Sequence, residues 1–323
     1  MGVVWEYTTG SRVPGRIVIA PDDSIRIHTT DGFLHALTPE GKQLWSPAQV
    51  GEPLGWAAPM VDSLGNTWIS AYDGGLIRVG PQGKPDSRPY FRTRAKLDSA
   101  GIIHGGVLYV GTEEGYVLAI DLTAEKGTTL WNQAADQGYT GGFVNSSPAL
   151  TEDGILVVAA RDEMVWGFAP SGAVAWNTKV PGQILGSPVI DRYGHVYVGV
   201  CQAERGREGQ GWLVCLDGNS HKIRWQYAAA GPVESTPVIG DDDLVYFGDN
   251  SGTIHAVDGR GVAQWTAKVE APVRSAGTIV ACERVAFGLD DDTLVALKCT
   301  AKALCPAGWP KIGRTLGQCG LIG

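Results

Sequence analysis

Residues 235–265 read STPVIGDDDLVYFGDNSGTIHAVDGRGVAQW, and their order decides the fold. STPVIG, LVYFG, TIHAVD and VAQW are four short segments rich in β-branched and aromatic residues, separated by DDD, DNSG and GRG. Such segments, each ended by Gly, Asp, Asn or Ser, are the signature of antiparallel strands joined by tight turns. An amphipathic helix is excluded, because turn residues interrupt the pattern before a 3.6-residue period can establish itself.

The same order recurs along the chain. Residues 187–225 contain SPVID, HVYVGV, WLVCLD and KIRW, and residues 146–176 contain SSPALT, ILVVAA, VWGFAP and VAW. The aromatic that ends each unit marks the period: Trp5, Trp45, Tyr90, Trp131, Trp176, Trp225, Trp265 and Trp309 lie 40, 45, 41, 45, 49, 40 and 44 residues apart, with Tyr90-Phe91 standing where a tryptophan is missing. Units of this length match a four-stranded propeller blade. A single blade has two apolar faces and cannot bury both, so neighbours must stack and the ring must close.

The expectation is therefore an all-β chain, one domain forming a seven-bladed β-propeller of four-stranded antiparallel blades. The blades are placed at 15–45, 57–91, 97–131, 146–176, 186–225, 235–265 and 275–309. An N-terminal strand, 1–8, closes the ring on the outer edge of the last blade, and 310–323 is a C-terminal tail. An incomplete eighth blade is the alternative.

Composition narrows the function classes. The 323 residues carry 26 Lys+Arg and 34 Asp+Glu, a net charge of −8, so no global attraction to phosphate backbones or anionic lipid exists and nucleic-acid binding is not expected. With 44% hydrophobic and 19% charged residues the chain is globular. Its longest apolar run, ILVVAA at 155–160, is too short to cross a bilayer, and MGVVWEYTTGSR has no signal-peptide pattern. The chain as given reads as a soluble, cytoplasmic monomer, or a periplasmic or secreted one if a leader has been removed.

The units at 107–131 (VLYVGTEEGYVLAIDLTAEKGTTLW) and 235–265 resemble the pyrroloquinoline-quinone-like propeller repeat. That repeat is shared by quinoprotein dehydrogenases and by the propeller lipoprotein of the bacterial outer-membrane barrel-assembly machinery, and the chain is more similar to the second. The resemblance implies a structural role for Trp45, Trp131, Trp176, Trp225 and Trp265, each packing between blades from an outer strand. Trp309, in GWPKIGRTLGQCG, resembles the terminal segment of such proteins. The dehydrogenases hold a metal and a quinone and carry a vicinal disulfide; this chain is shorter and has no Cys-Cys pair, so neither cofactor nor metal is expected.

The remaining motifs read as structure. Asp241-Asp242-Asp243 and Asp290-Asp291-Asp292 fall in strand-to-strand turns, where Asp closes a local Asx-turn, and neither follows a calcium-loop spacing. GREGQG at 206–211 lacks the Lys-Ser/Thr and the helix of a phosphate loop. Six cysteines all lie beyond residue 200 with no CxxC; Cys305 and Cys319 flank the tail and a disulfide there would pin it, the alternative being buried free thiols.

Long loops on one face of a rigid scaffold are where binding residues concentrate. Three such loops, 46–58, 132–145 and 201–212, emerge on the face where blades are linked, and residues before the inner strands, among them Ser146 and Ser235, are expected to point into the funnel. The candidate ligand-binding residues are Arg16, Trp56, Tyr139, Asn145, Trp212, Glu234 and Arg274; Glu234 and Arg274 are equivalent in adjacent blades, where they either pair with each other or flank a polar ligand. Catalytic residues are unassigned. The sequence thus favours a non-catalytic scaffold for protein, peptide, glycan or small-molecule ligands. A biosynthetic lyase, cyclase or hydrolase with an acid–base pair in the funnel is the alternative.

Overall fold

The computed structural model describes residues 6–11, 18–51, 58–97, 99–131, 138–202, 209–280, 283–291 and 293–309. Their strands form seven antiparallel sheets, each in chain order from the inside outward. Sheet one comprises Val18–Ile19 (β1), Ile25–His28 (β2), Phe33–Leu37 (β3) and Ala48–Gln49 (β4); sheet two, Met60–Val61 (β5), Thr67–Ser70 (β6), Gly75–Val79 (β7) and Phe91–Arg92 (β8). Sheet three is Ile102–His104 (β9), Val107–Gly111 (β10), Val117–Asp121 (β11) and Thr128–Thr129 (β12); sheet four, Ala149–Leu150 (β13), Leu156–Ala160 (β14), Met164–Phe168 (β15) and Val174–Lys179 (β16). Sheet five is Val189–Ile190 (β17), Val196–Gln202 (β18), Gln210–Leu216 (β19) and Ile223–Ala228 (β20); sheet six, Val238–Ile239 (β21), Val245–Gly248 (β22), Thr253–Val257 (β23) and Ala263–Lys268 (β24). Thr278–Val280 (β25), Arg284–Gly288 (β26) and Leu294–Lys298 (β27) make sheet seven. Seven sheets in the expected order make this the seven-bladed propeller, not the eight-bladed alternative.

The core lies between sheets. Leu34, Ala48 and Val50 of sheet one bury Ile69, Ala71 and Val79 of sheet two, and equivalent clusters join each following pair through sheet seven. The aromatic ending one sheet lies on the third-to-fourth-strand turn of the next. A Cβ on Gly83 would stand 2.3 Å from the Trp45 ring, one on Gly172 2.6 Å from Trp131, and one on Gly261 2.9 Å from Trp225. All three glycines have φ between 78° and 83°, so both the ring above and the backbone below require glycine. Trp131 and Trp225 also donate Nε1–H to the carbonyls of Pro170 and Gly259, each at 3.0 Å. Tyr90 takes the same place over Gly127 and donates its hydroxyl to the Ala124 carbonyl at 2.5 Å. At the fourth junction His221 replaces glycine at φ 56°, and Trp176 stacks on its ring at 4.4 Å.

The Ser-Pro motif has two jobs. The first serine ties its inner strand to the end of the second strand of its own sheet: Ser146 donates to the Ala159 carbonyl at 2.7 Å, and Ser235 to the Gly248 carbonyl at 2.7 Å. Both serines are buried, so they do not point into the funnel as the sequence suggested. The next position reaches the neighbouring sheet. Ser147 N–H donates to Ser187 Oγ (2.9 Å), Ser187 N–H to Thr236 Oγ1 (2.8 Å), and Gly277 N–H to the Thr236 carbonyl (3.2 Å), lacing sheets four to seven around the axis.

Sheet seven ends differently from the expected unit. After Lys298 the chain turns inward; Leu304 bridges Gly240, and Trp309 exchanges backbone hydrogen bonds with Ile190 at 2.7 and 2.8 Å. Trp309 is therefore not an outer-strand aromatic, although its spacing matched one. Asp241 and Asp242 anchor this crossing: Asp241 accepts from Lys302 N–H at 2.8 Å and Asp242 from the Thr300 hydroxyl, while Asp243 pairs with Arg192 of sheet five at 2.7 Å. Residues 1–5 of the expected closing strand, with Trp5, lie outside the described residues. Tyr7 nevertheless stands to sheet one as Tyr227 of sheet five stands to sheet six: its hydroxyl is 3.0 Å from His35 Nδ1, as that of Tyr227 is 3.1 Å from His255 Nδ1. Tyr7 itself lies outside any described strand.

His255 belongs to a buried polar cluster. Its Nε2 lies 3.0 Å from Asp249 Oδ2, and Asp249 also accepts from the N–H groups of Gly231 (3.1 Å), Ser251 (2.9 Å) and Thr253 (3.1 Å). Burial alone raises the Asp249 pKa, but the hydrogen bonds from His255, Ser251 and Thr253 together outweigh it and hold the carboxyl below the usual range.

Two outcomes are expected. Gly172→Ala should cost about 1–3 kcal/mol more than Gly141→Ala, because both have φ 83° but only Gly172 lies under a ring, while Gly141 has nothing within 4 Å; urea unfolding of the two variants measures the difference. Because the Asp249 carboxyl is depressed in the fold, its contribution is complete above the unfolded value of about 3.9 and is lost as pH falls through the folded one. Asp249→Asn should therefore lower stability at neutral pH by about 3 kcal/mol and flatten the acid limb of the pH–stability curve.

Candidate functional site

The turn from second to third strand and the linker to the next sheet emerge at one end of every sheet, and the remaining turns at the other. At that other end the crossing segment 299–309 occupies the axis-facing edges of β17 and β21. The starts of these inner strands lie at the loop-bearing end. The three long loops foreseen in the sequence emerge there, but 52–57, 132–137 and 203–208 lie outside the described residues, and with them Trp56; Arg16 lies outside as well.

Glu234 and Arg274 come together. Arg274 Nε is 3.3 Å from Glu234 Oε2 and 3.2 Å from Asn250 Oδ1, Asn250 Nδ2 donates to Glu234 Oε1 at 2.7 Å, and Arg274 Nη1 meets Asp290. The four residues form one hydrogen-bonded strip across sheets six and seven, two carboxylates around one guanidinium. Asp290, read from the sequence as a turn former, is part of it, while Asp291 accepts from its neighbour Thr293 as an Asx-turn does.

Tyr139 lies on the linker between sheets three and four, its ring 4.7 Å from that of Tyr116 and tilted by 39°, and it is 39% exposed. Its backbone bridges Tyr116, and Thr140 donates to the Gly115 carbonyl through both N–H (2.8 Å) and hydroxyl (3.0 Å), so the linker is fixed to sheet three. Phe143, four residues on and 50% exposed, was not singled out in the sequence. Its only signal there is an aromatic beside two glycines, outside any strand period. The Phe143 carbonyl accepts from Arg161 N–H at 3.1 Å, which fixes the linker to sheet four as well. Asn145 follows, half-buried, two residues after Phe143.

Trp212 is not beside them. It pairs with Val200 and Ala228 inside sheet five and packs on the core shared with sheet four. The other out-of-register tryptophans are held in the same way: Trp68 Nε1–H donates to Asp62 Oδ2 at 2.9 Å and Trp166 Nε1–H to Asp162 Oδ2 at 3.0 Å.

The titratable groups here are engaged in structure. Cys201, at the loop-bearing end of β18, is pushed up to about 11 by burial, with the Glu234 charge adding to the rise and Arg161 opposing it. Cys215 is pushed up to about 12, mainly by burial. Both thiols are neutral at physiological pH and poor nucleophiles. Cys305 is buried and unbridged among the described residues, and Cys319 lies outside them. Among the described residues no three His, Cys, Asp or Glu side chains converge as a metal site. No described helix is long and apolar enough to cross a membrane.

Comparison with known proteins agrees with this picture. The family model PQQ_2, described as outer membrane protein assembly factor BamB, matches residues 121–205 and 193–301, which together span more than half of the chain. Outer membrane protein assembly factor BamB of Burkholderia pseudomallei is 27% identical over 286 residues, covering 81% of this chain and 68% of that protein. The protein of the same name from Nitrosomonas eutropha is 29% identical over 204 residues, covering 58% of this chain and 45% of its own length. The crystal structure of BamB from Moraxella catarrhalis superposes with a TM-score of 0.56 over 89% of this chain and 95% of that one, at 15% identity, a likeness of fold. Repeat by repeat and sheet by sheet, the chain belongs to the PQQ_2 family, described as outer membrane protein assembly factor BamB.

Proposed function

We propose that this protein is a non-catalytic scaffold in outer-membrane protein assembly and that it docks a protein partner on its loop-bearing end. The relatives support the process; the exposed pair Tyr139 and Phe143 carries the choice of surface. Aromatic side chains held on a fixed backbone lose little entropy on burial and dominate interface energies, and a polar rim around them supplies register. Here the linker is fixed to sheets three and four, and the Glu234–Asn250–Arg274–Asp290 strip supplies polar groups at the same end. The acid–base alternative finds no support in the groups described: Asp249 and His255 are buried and committed to each other and to Tyr227, and Glu234 is held by Arg274 and Asn250.

Replacing both aromatics should weaken docking by about 2 kcal/mol or more, roughly thirtyfold, without changing thermal stability. The check is complementation of cells lacking the protein, scored by the amount of heat-modifiable outer-membrane β-barrel protein. Tyr139→Ala with Phe143→Ala should fail to restore it at normal protein level, whereas Leu64→Ala, an equally apolar exposed site at the opposite end, should restore it. Equal restoration by both would remove the loop-bearing end from the function.

A further inference from the structure

Sheet two is the sheet whose unit ends on Tyr90 where the others place tryptophan, and the stretch around it is unusual in charge. Residues 84–96, KPDSRPYFRTRAK, hold five cations and one carboxylate in a chain of net charge −8. Two prolines set the local shape. The edge pairing of β7 begins with the Val79–Pro85 bridge and the Asp86 N–H to Arg78 carbonyl bond (3.0 Å), and resumes with Tyr90 N–H to the Leu76 carbonyl (2.8 Å). Pro85 and Pro89 have no N–H to offer the ladder, and 87–89 leave it as an outward detour. Between the detour, residues 49–51 at the edge of sheet one, and Gly75 and Ile77 of β7 lies a cleft of about 260 Å³.

The cleft contains two carboxylates, and both are engaged. Asp86 accepts from Arg78 through Nε at 3.0 Å and Nη2 at 3.3 Å, and Asp73 from Arg92 at 2.9 Å. Arg88, exposed on the detour, lines the cleft and has no ion-pair partner among the described residues, nor do Lys84 and Arg94 on the same edge. The apolar lining groups Val50 and Ile77 are recessed, not projecting.

We infer that this cleft is a docking site for an acidic segment of a polypeptide, one carboxylate entering to Arg88 while its neighbours face Lys84, Arg92 and Arg94. A carboxylate balances Arg88, the cleft-lining guanidinium without an ion pair among the described residues, and pairs with it bidentately. A dianionic phosphate brings twice the charge against Asp73 and Asp86, and with no projecting apolar group the surface lacks what a membrane-inserting face needs. The site lies between sheets one and two and contains neither Tyr139 nor Phe143, so its test is separate from that of the proposed docking surface.

The test is fluorescence anisotropy with a fluorescein-labelled decaglutamate peptide. Saturable binding is expected, weakening as salt rises, and Arg88→Glu should reduce affinity about tenfold or more. Arg260→Glu, at an 83% exposed arginine in sheet six, should leave it unchanged. Because the Arg88 side chain has no ion pair to lose, the variant should melt with the wild type. No saturable binding, or equal binding by Arg88→Glu, would overturn the assignment. So would phosphatidylglycerol vesicles that bind the wild type but not Arg88→Glu and displace the peptide, since the surface would then be a membrane site.

Discussion

A four-stranded sheet with apolar side chains on both faces is unstable alone, and this constraint shapes the rest of the molecule. Each cluster of fully buried residues joins neighbouring sheets, not the strands of one sheet. Burying a large aliphatic side chain contributes about 1.5–3 kcal/mol, so removing one sheet would expose a whole row of such groups on each neighbour. The junctions add direction to this non-directional force. At three junctions a tryptophan ring on one sheet lies over a glycine of the next, Gly83, Gly172 or Gly261, and that glycine is required twice, by its positive φ and by the ring. Near the axis the Ser147, Ser187 and Thr236 bonds fix the rotation of one sheet against another.

Function follows from what such a ring leaves over. The sheets are occupied in burying one another, so the proposed docking places recognition on turns and linkers, whose backbone the sheets hold in place. At one end the crossing segment, latched by Asp241 and Asp242, covers axis-facing edges. At the other end linkers present Tyr139, Phe143 and the Arg274 strip. A scaffold that presents a fixed surface suits the assembly role in the names of its relatives.

Much of this was legible in the sequence, because aromatic spacing and the Ser-Pro motif arise from the inter-sheet contacts themselves. Trp45, Trp131 and Trp225 recur at blade period since each meets a glycine one sheet on. Period alone cannot tell a contact from its imitation: Trp309 keeps the spacing but pairs with Ile190, because Gly308, at φ 75°, lets the segment approach the Ile190 and Asp191 carbonyls closely. The candidate sites were less legible. Glu234 and Arg274 could be paired from their equivalent positions in adjacent repeats. Trp212 packs on the core shared by sheets four and five, as an out-of-register aromatic can, and Phe143 on its linker and Arg88 on its strand-to-strand detour follow courses that no periodicity constrains.

The central claim is that sheets four to seven cannot loosen separately, since their inner strands are laced to one another. Native-state hydrogen exchange at the amides of Ser147 and Ser187 tests it most directly. The account predicts that both exchange only through global unfolding, with the free energy and denaturant dependence of the whole domain. Exchange of either through a local opening well below that free energy would contradict it.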